Sequence, residues 1–325
     1  MIKQQFSSMW LYENPAQCRY RPLEPRDMQL LSFGDEDREE LGQLYRELRD
    51  YQLSRCRIGD VPCRVQKVRT SYGLSFAIRA LVVSPRPLLE LGVPKGVRDI
   101  LMMKGKIPGL VLVCGAMRSG KTTIAASLVL ERISSYGGAA QMIEEPTEME
   151  LDGCYGGGLI QQIDVHESGS GLRIEDRVAT LAADSLRSDV DILFIGEVRR
   201  PADARAVIAV AAIGATVITT IHSTNLETAV ERLISLAAAH SNSDEAAAMV
   251  ANALFAVIHV SLAPTTINTP GGNELRQTLR VRPCFFVGPD ADGLRGSVRK
   301  QHFAQYVNQV GEMQVQKIIN GRSIL

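Results

Sequence analysis

The apolar run Leu110-Val111-Leu112-Val113-Cys114 leads directly into Gly115-Ala116-Met117-Arg118-Ser119-Gly120-Lys121-Thr122, and this junction constrains the fold more than any other feature of the chain. A run with no polar alternation suits a strand buried on both faces of a parallel sheet. The residues from about Lys121 to Ser134 read as a helix, so the glycine-bearing loop lies between a strand and a helix, the context that a phosphate-binding loop requires. Backbone N–H groups of such a loop, together with the positive end of the helix dipole, satisfy phosphate oxygens that would otherwise keep their water. Lys121 then reaches the β- and γ-phosphates as a mobile charge, and the Thr122 hydroxyl completes a magnesium shell. The residues expected to hold ATP are Gly115, Ala116, Met117, Arg118, Ser119, Gly120, Lys121, Thr122 and Thr123.

Beyond this junction the pattern alternates between strand and helix. Strands are expected at Ala140–Glu144, Ile192–Ile195 and Thr216–Ile221, and helices at Asp203–Ala212, Asn225–Ala239 and Asp244–Leu254. Such alternation predicts an α/β fold. A late strand is expected at Gln277–Val287 and a loop at Thr265–Asn273. Upstream, Leu41, Leu44, Tyr45, Leu48 and Tyr51 recur at helical spacing, and Leu74, Phe76, Ile78 and Ala80 alternate as in a strand, with Arg79 on the other face. The first ninety or so residues therefore read as a small α+β unit. Pro85, Pro87, Gly92 and Pro94 break the pattern and mark a linker, which puts the domain boundary near residue 95, with domains over 1–95 and 96–325.

Three further chemical groups stand at strand ends. Ile192-Leu193-Phe194-Ile195-Gly196-Glu197 ends in a carboxylate placed to hold a magnesium-bound water, Glu144-Glu145-Pro146 ends another strand with two acids, and His222 ends a third. Singly, each is better read without function, as a core-strand end, a solvated turn or a rim residue. In one chain and in this order, they converge where open α/β sheets bind ligands. In these motifs the chain resembles the secretion ATPase superfamily, and within it the PilT-like members. Their acidic box is similar to Ile143-Glu144-Glu145-Pro146, and their second nucleotide motif to Ser185–Asp189 through Ile195-Gly196-Glu197-Val198-Arg199. Their histidine box is similar to Thr220-Ile221-His222-Ser223-Thr224, and their arginine-bearing strands to Arg64-Val65, Gly73, Arg79 and Leu91-Gly92.

The resemblance implies a RecA-like phosphate-loop ATPase domain behind a small PAS-like α+β domain. It also implies a cytoplasmic homohexamer that uses ATP and Mg2+ to drive a type IV pilus, or a type IV secretion or conjugation machine, through inner-membrane partners. By position, Glu144 is the catalytic base, Glu197 the magnesium-water carboxylate beside Thr122, His222 a γ-phosphate contact and Arg79 a charge-neutralising arginine. The pattern is departed from at Glu145 where Asp is usual, at Ala215 where His is usual, and at Tyr72 where a second arginine is expected, a place that Arg69 is positioned to fill. A paired Cys-x-x-Cys insert is missing, and His302–Leu325 lacks the basic motif of retraction motors, which leans the expectation towards secretion or conjugation.

Composition narrows the alternatives. Thirty-six Lys plus Arg balance thirty-six Asp plus Glu and aromatics are 5%, so stable nucleic-acid binding is not expected, although a RecA-fold translocase remains the rival enzyme and a nucleotide-binding scaffold the rival non-enzyme. The six cysteines are scattered and read as reduced thiols, and the four remaining histidines, His166, His240, His259 and His302, have no metal-ligand spacing. The first residues have no apolar stretch of signal-peptide type, so secretion by that route is not expected, and the uncharged stretches 206–221 and 246–264 read as helix followed by strand rather than as membrane spans.

Overall fold

The computed structural model describes residues 6–22, 30–51, 53–81, 85–165, 174–240, 242–269, 272–320 and 324. His166 lies outside these residues. The chain separates into two compact units, Met1–Ser84 with Pro146–Glu150, and Pro85–Glu145 with Leu151–Leu325.

The first unit comprises β1 (Phe6–Tyr12), β2 (Arg19–Pro22), β3 (Leu31–Ser32), α1 (Arg38–Tyr51), β4 (Arg55–Ile58), β5 (Val61–Thr70) and β6 (Gly73–Ala80). Its strands, in the order β3-β2-β1-β6-β5-β4, are antiparallel throughout the described residues. The apolar stripe of α1, Leu41, Tyr45 and Leu48, is buried with Met9, Leu11, Phe76 and Ile78. Tyr45 fits there because its ring meets Phe76 edge-on at 5.5 Å and its hydroxyl donates to the Leu74 carbonyl at 3.1 Å. Arg79 is exposed on the opposite face of β6, in register with Ser8 and Arg64. Cys56 and Cys63, seven positions apart in sequence, stand directly opposite each other across β4 and β5 as free thiols, a pairing that short-range spacing does not reveal.

The second unit begins earlier than the proline pattern suggests, at Pro85, so the expected boundary near 95 falls inside it. The reason lies in contacts that span over thirty positions and are invisible in local sequence. Leu88 is fully buried and donates its N–H to Glu131, while the Ser127 hydroxyl donates to the Arg86 carbonyl at 3.0 Å. Glu131 also takes the Arg98 Nε at 2.7 Å. These anchors fasten the proline-rich segment and α2 (Lys95–Leu101) along the second unit.

From there the elements run β7 (Gly109–Gly115), α3 (Lys121–Tyr136), β8 (Gly138–Glu144), β9 (Gly153–Tyr155), β10 (Gly158–Asp164), α4 (Ile174–Arg187), β11 (Ile192–Ile195), α5 (Pro201–Ala212) and β12 (Thr216–His222). They continue with α6 (Leu226–Ala237), α7 (Ser243–Ala253), β13 (Leu254–Thr269), β14 (Gly272–Phe285), α8 (Ala291–Arg299) and α9 (Phe303–Ile319). Their strand order is β14-β13-β7-β12-β11-β8-β10-β9, parallel from β13 to β10, with β14 and β9 antiparallel at the two edges. The mixed α/β architecture is therefore as expected.

Every residue of β7 is buried, which accounts for the unbroken apolar run in sequence. Leu110, Leu112 and Cys114 join the core formed with Val207, Ile208, Val230, Leu233 and Val250 of α5, α6 and α7. The intervening Val111 and Val113 are equally buried on the other face. The expected loop at 265–273 is instead continuous strand. β13 runs to Thr269 and β14 starts at Gly272, paired residue for residue from Ala256↔Phe285 to Thr269↔Gly272. Thr265, Thr266 and Ile267 are β-branched and suit a strand, so the expected loop gives way to pairing over the described residues. Among the described residues no helix is long and apolar enough to cross a membrane.

Candidate active site

Parallel pairing brings the carboxyl ends of β7, β12, β11 and β8 side by side. His222 is in register with Gly115, and Ile195 with both Thr219 and Ile143, so the residues that follow each strand emerge at one edge of the sheet. Gly115 is required by close approach: a Cβ there would stand 2.3 Å from the Val260 carbonyl oxygen and 2.5 Å from the Ser119 hydroxyl. Gly120, at φ 92, takes the left-handed turn that opens α3. Met117 is 76% exposed at the loop tip. Ser119 is buried, and its hydroxyl has no hydrogen-bond partner. An unsatisfied hydroxyl beneath a loop whose amides open a helix is the chemistry of an anion site.

Lys121 is only 6% exposed. Its ammonium donates to the Ala116 carbonyl at 2.8 Å and meets His222 Nδ1 at 3.1 Å. An ammonium has hydrogens and no acceptor, so Nδ1 accepts, and the hydrogen of the neutral ring sits on Nε2. Nε2 stands 2.8 Å from Glu197 Oε1, so the ring lies between the ammonium and the carboxylate. Burial first, and then the neighbouring cations Lys121, Arg199 and Arg232, push the His222 pKa below its ordinary value, while Glu197 opposes them. The ring is therefore neutral at neutral pH, consistent with its role as acceptor.

The carboxylates are held as firmly. Glu197 Oε2 takes the Arg199 Nε at 2.5 Å. Glu144 is buried at 3% exposure, and Gln162 donates its side-chain amide to Glu144 Oε1 at 2.8 Å. Gly196 lies beside it, where a Cβ would come 3.3 Å from Glu144 Cγ. Arg200 pairs with Glu145 and, through Nε, with Asp203 Oδ2 at 3.3 Å. Asp203 Oδ2 also accepts the backbone N–H groups of Arg199 and Arg200, which caps α5. Thr122 and Thr123 lie half-buried in the first turn of α3.

Lys121, His222 and Glu197 thus form one connected chain beside the phosphate loop, with Glu144 on the neighbouring strand. Arg79 belongs to the first unit and is described there. Arg199 was quoted from sequence only as the end of the second nucleotide motif, without a role, and Arg200, Asp203 and Gln162 were not singled out; the Asp three residues after Arg200, a capping spacing, could have pointed to that pair.

Residues 53–288 match the type II/IV secretion system protein family. The uncharacterized protein YggR of Escherichia coli is 30% identical over 220 residues, covering 63% of each chain. The match thus spans less than two thirds of that relative, and it spans 36% of the type II secretion system protein HxcR of Pseudomonas aeruginosa, which is 32% identical over 179 residues, or 54% of this chain. The ATPase DotB of Legionella pneumophila superposes with a TM-score of 0.67 at 17% identity, over 96% of this chain and 88% of its own. At that identity the likeness is one of fold. The match over residues 53–288 takes in the phosphate loop, the acidic box and the histidine strand together, and by it this chain belongs to the type II/IV secretion system protein family.

Proposed function

We propose that this chain is a Mg2+-dependent ATPase with a RecA-like nucleotide domain behind a PAS-like unit, working as a homohexamer at the cytoplasmic face of a type IV secretion, conjugation or pilus machine. The observation that carries this reading is the chain Lys121–His222–Glu197, set between the ends of parallel strands beside a loop with an unsatisfied buried hydroxyl. The parallel strand order and the family membership support it. Family relatives include proteins named as the type IV pilus assembly ATPase PilB and the retraction ATPase PilT.

In this reading the Lys121 ammonium exchanges the Ala116 carbonyl for β- and γ-phosphate oxygens, so a charge already desolvated and aimed moves only a short way. His222 loses its lysine partner in that exchange and turns its Nε2–H donor to the γ-phosphate. The Thr122 hydroxyl and the Glu197 carboxylate are the oxygen donors that would hold a magnesium ion, and the ion would supply charge neutralisation for the phosphates. Glu144 orients the attacking water and takes its proton. Arg79 neutralises transition-state charge, a role worth ~10³ to 10⁵ in rate where an arginine performs it.

Phosphate release from ATP tests the proposal, measured with the full-length protein across a range of protein concentrations beside Lys121→Ala. Specific activity that rises with concentration and vanishes in the variant is expected of sites completed within a ring. Turnover that survives Lys121→Ala, or wild-type protein that binds ATP without releasing phosphate, refutes the enzyme reading.

A further inference from the structure

The chain leaves the second unit after Glu145, spends Pro146–Glu150 in the first unit and returns at Leu151. Within the first unit the excursion is held by an ion pair, Arg57 to Glu150 at 2.7 Å. Within the second unit both of its ends are fixed at the acidic box. The outgoing end is Glu145, paired with Arg200. The returning end closes on one residue of β10: the Leu151 N–H donates to Gln162 Oε1 at 2.6 Å, and the Gln162 N–H donates to Asp152 Oδ1 at 2.8 Å.

The Leu151 contact decides how the Gln162 amide is oriented. Because Oε1 accepts from a backbone N–H, the NH2 group must face the other way, and there it donates to Glu144 Oε1 at 2.8 Å. One side chain therefore grips the return of the excursion with its oxygen and the Glu144 carboxylate with its nitrogen.

We propose that Gln162 is a positioning residue for Glu144, and that it ties the orientation of this carboxylate to the Pro146–Glu150 excursion. The inference rests on the reading of Glu144 as the base. A pull on the excursion shifts Leu151 and Asp152, the Gln162 side chain follows, and Glu144 turns towards or away from the line of attack on the γ-phosphate. Regulation by the first unit then reaches the chemistry through three hydrogen bonds, without altering the phosphate loop.

Two variants separate this role from simple packing. Gln162→Glu keeps an acceptor for the Leu151 N–H but sets a carboxylate against Glu144, and Asp152→Ala slackens the return without touching Glu144. Turnover and the Kd of a fluorescent ATP analogue are measured for both, beside wild type and Glu144→Gln. Gln162→Glu is expected to lower kcat by about tenfold or more while Kd moves by less than about twofold, because a general base typically supplies ~10² to 10⁴ in rate. Asp152→Ala is expected to give a smaller fall in kcat, also at constant Kd. If wild-type turnover depends on Glu144 and Gln162→Glu retains kcat, the ATPase reading stands and the positioning role is overturned. If Gln162→Glu is slow but Asp152→Ala equals wild type, the tie to the excursion is overturned. Wild-type turnover indifferent to Glu144→Gln removes the base, and the inference with it.

Discussion

Asp203 is the residue whose removal most sharply tests how the site is braced. It is fully buried, and its Oδ2 serves three donors, the N–H groups of Arg199 and Arg200 and the Arg200 Nε, while Oδ1 has no partner. Asp203→Ala removes a helix-capping acceptor, a loss of about 1 kcal/mol. It also takes one counter-charge from Arg200, which keeps Glu145 and is partly solvated, so this adds only about 1–2 kcal/mol. Together about 2–3 kcal/mol is expected. In a unit of roughly this size each kcal/mol lowers Tm by about 2–4 °C, so the variant should melt about 5–10 °C below wild type. Asp203→Asn is the informative partner. Its amide oxygen still accepts the two backbone N–H groups, and its NH2 takes the place of the unpartnered Oδ1, so only the charge is lost, at about 1 kcal/mol. Scanning calorimetry of the three proteins checks the order. An Asp203→Ala transition within about 2 °C of wild type, or an Asp203→Asn variant as unstable as the alanine, would refute the capping argument.

Other outcomes follow from the same structure. His222 and His259 both have pKa values pushed below the ordinary range, chiefly by burial, so in acid the unfolded chain takes up their protons before the folded one does. Stability should be intact above the ordinary histidine pKa of about 6.5 and fall as pH drops below it, and His259→Gln should flatten that fall in Tm between pH 7.5 and 5.5; an unchanged slope would count against it. Gln314 is fully buried, and its amide accepts the Phe285 N–H and donates to the Phe285 carbonyl, both at 2.9 Å. Gln314→Ala strands two buried backbone groups and should cost about 2–4 kcal/mol in denaturant unfolding, whereas a loss under about 1 kcal/mol would mean that α9 re-packs over them.

How much of this was legible in sequence depended on whether the governing contacts are local. The run Leu110–Cys114 announced β7 because a strand buried on both faces must be apolar throughout, and Gly115 to Thr122 announced the loop because its geometry is set within eight residues. Glu144, Glu197 and His222 could each be placed at a strand end. Their convergence came from parallel register, which no single segment encodes. The hairpin of β13 and β14 was missed past Pro264 because Asn268, Pro270, Gly271 and Gly272 read as a loop, and only pairing with the partner strand extends order through Thr265 to Thr269. β10 was missed because Gln161-Gln162 interrupts its apolar residues. The polarity that hid it is the same polarity that reaches Glu144. Arg200 and Gln162 act on Glu145 and Glu144 through directed hydrogen bonds between segments far apart in sequence, and Asp203 braces Arg200 in turn; composition carries no trace of these contacts.

The excursion also makes the first unit discontinuous in sequence. The chain passes between the two units at Ser84–Pro85, at Glu145–Pro146 and again at Glu150–Leu151. The first unit is thus assembled from two stretches of chain, the second only five residues long. A cut in the first connection would accordingly leave Pro146–Glu150 embedded as a graft from one unit in the other, and such a nicked protein should still migrate as one species until it is denatured.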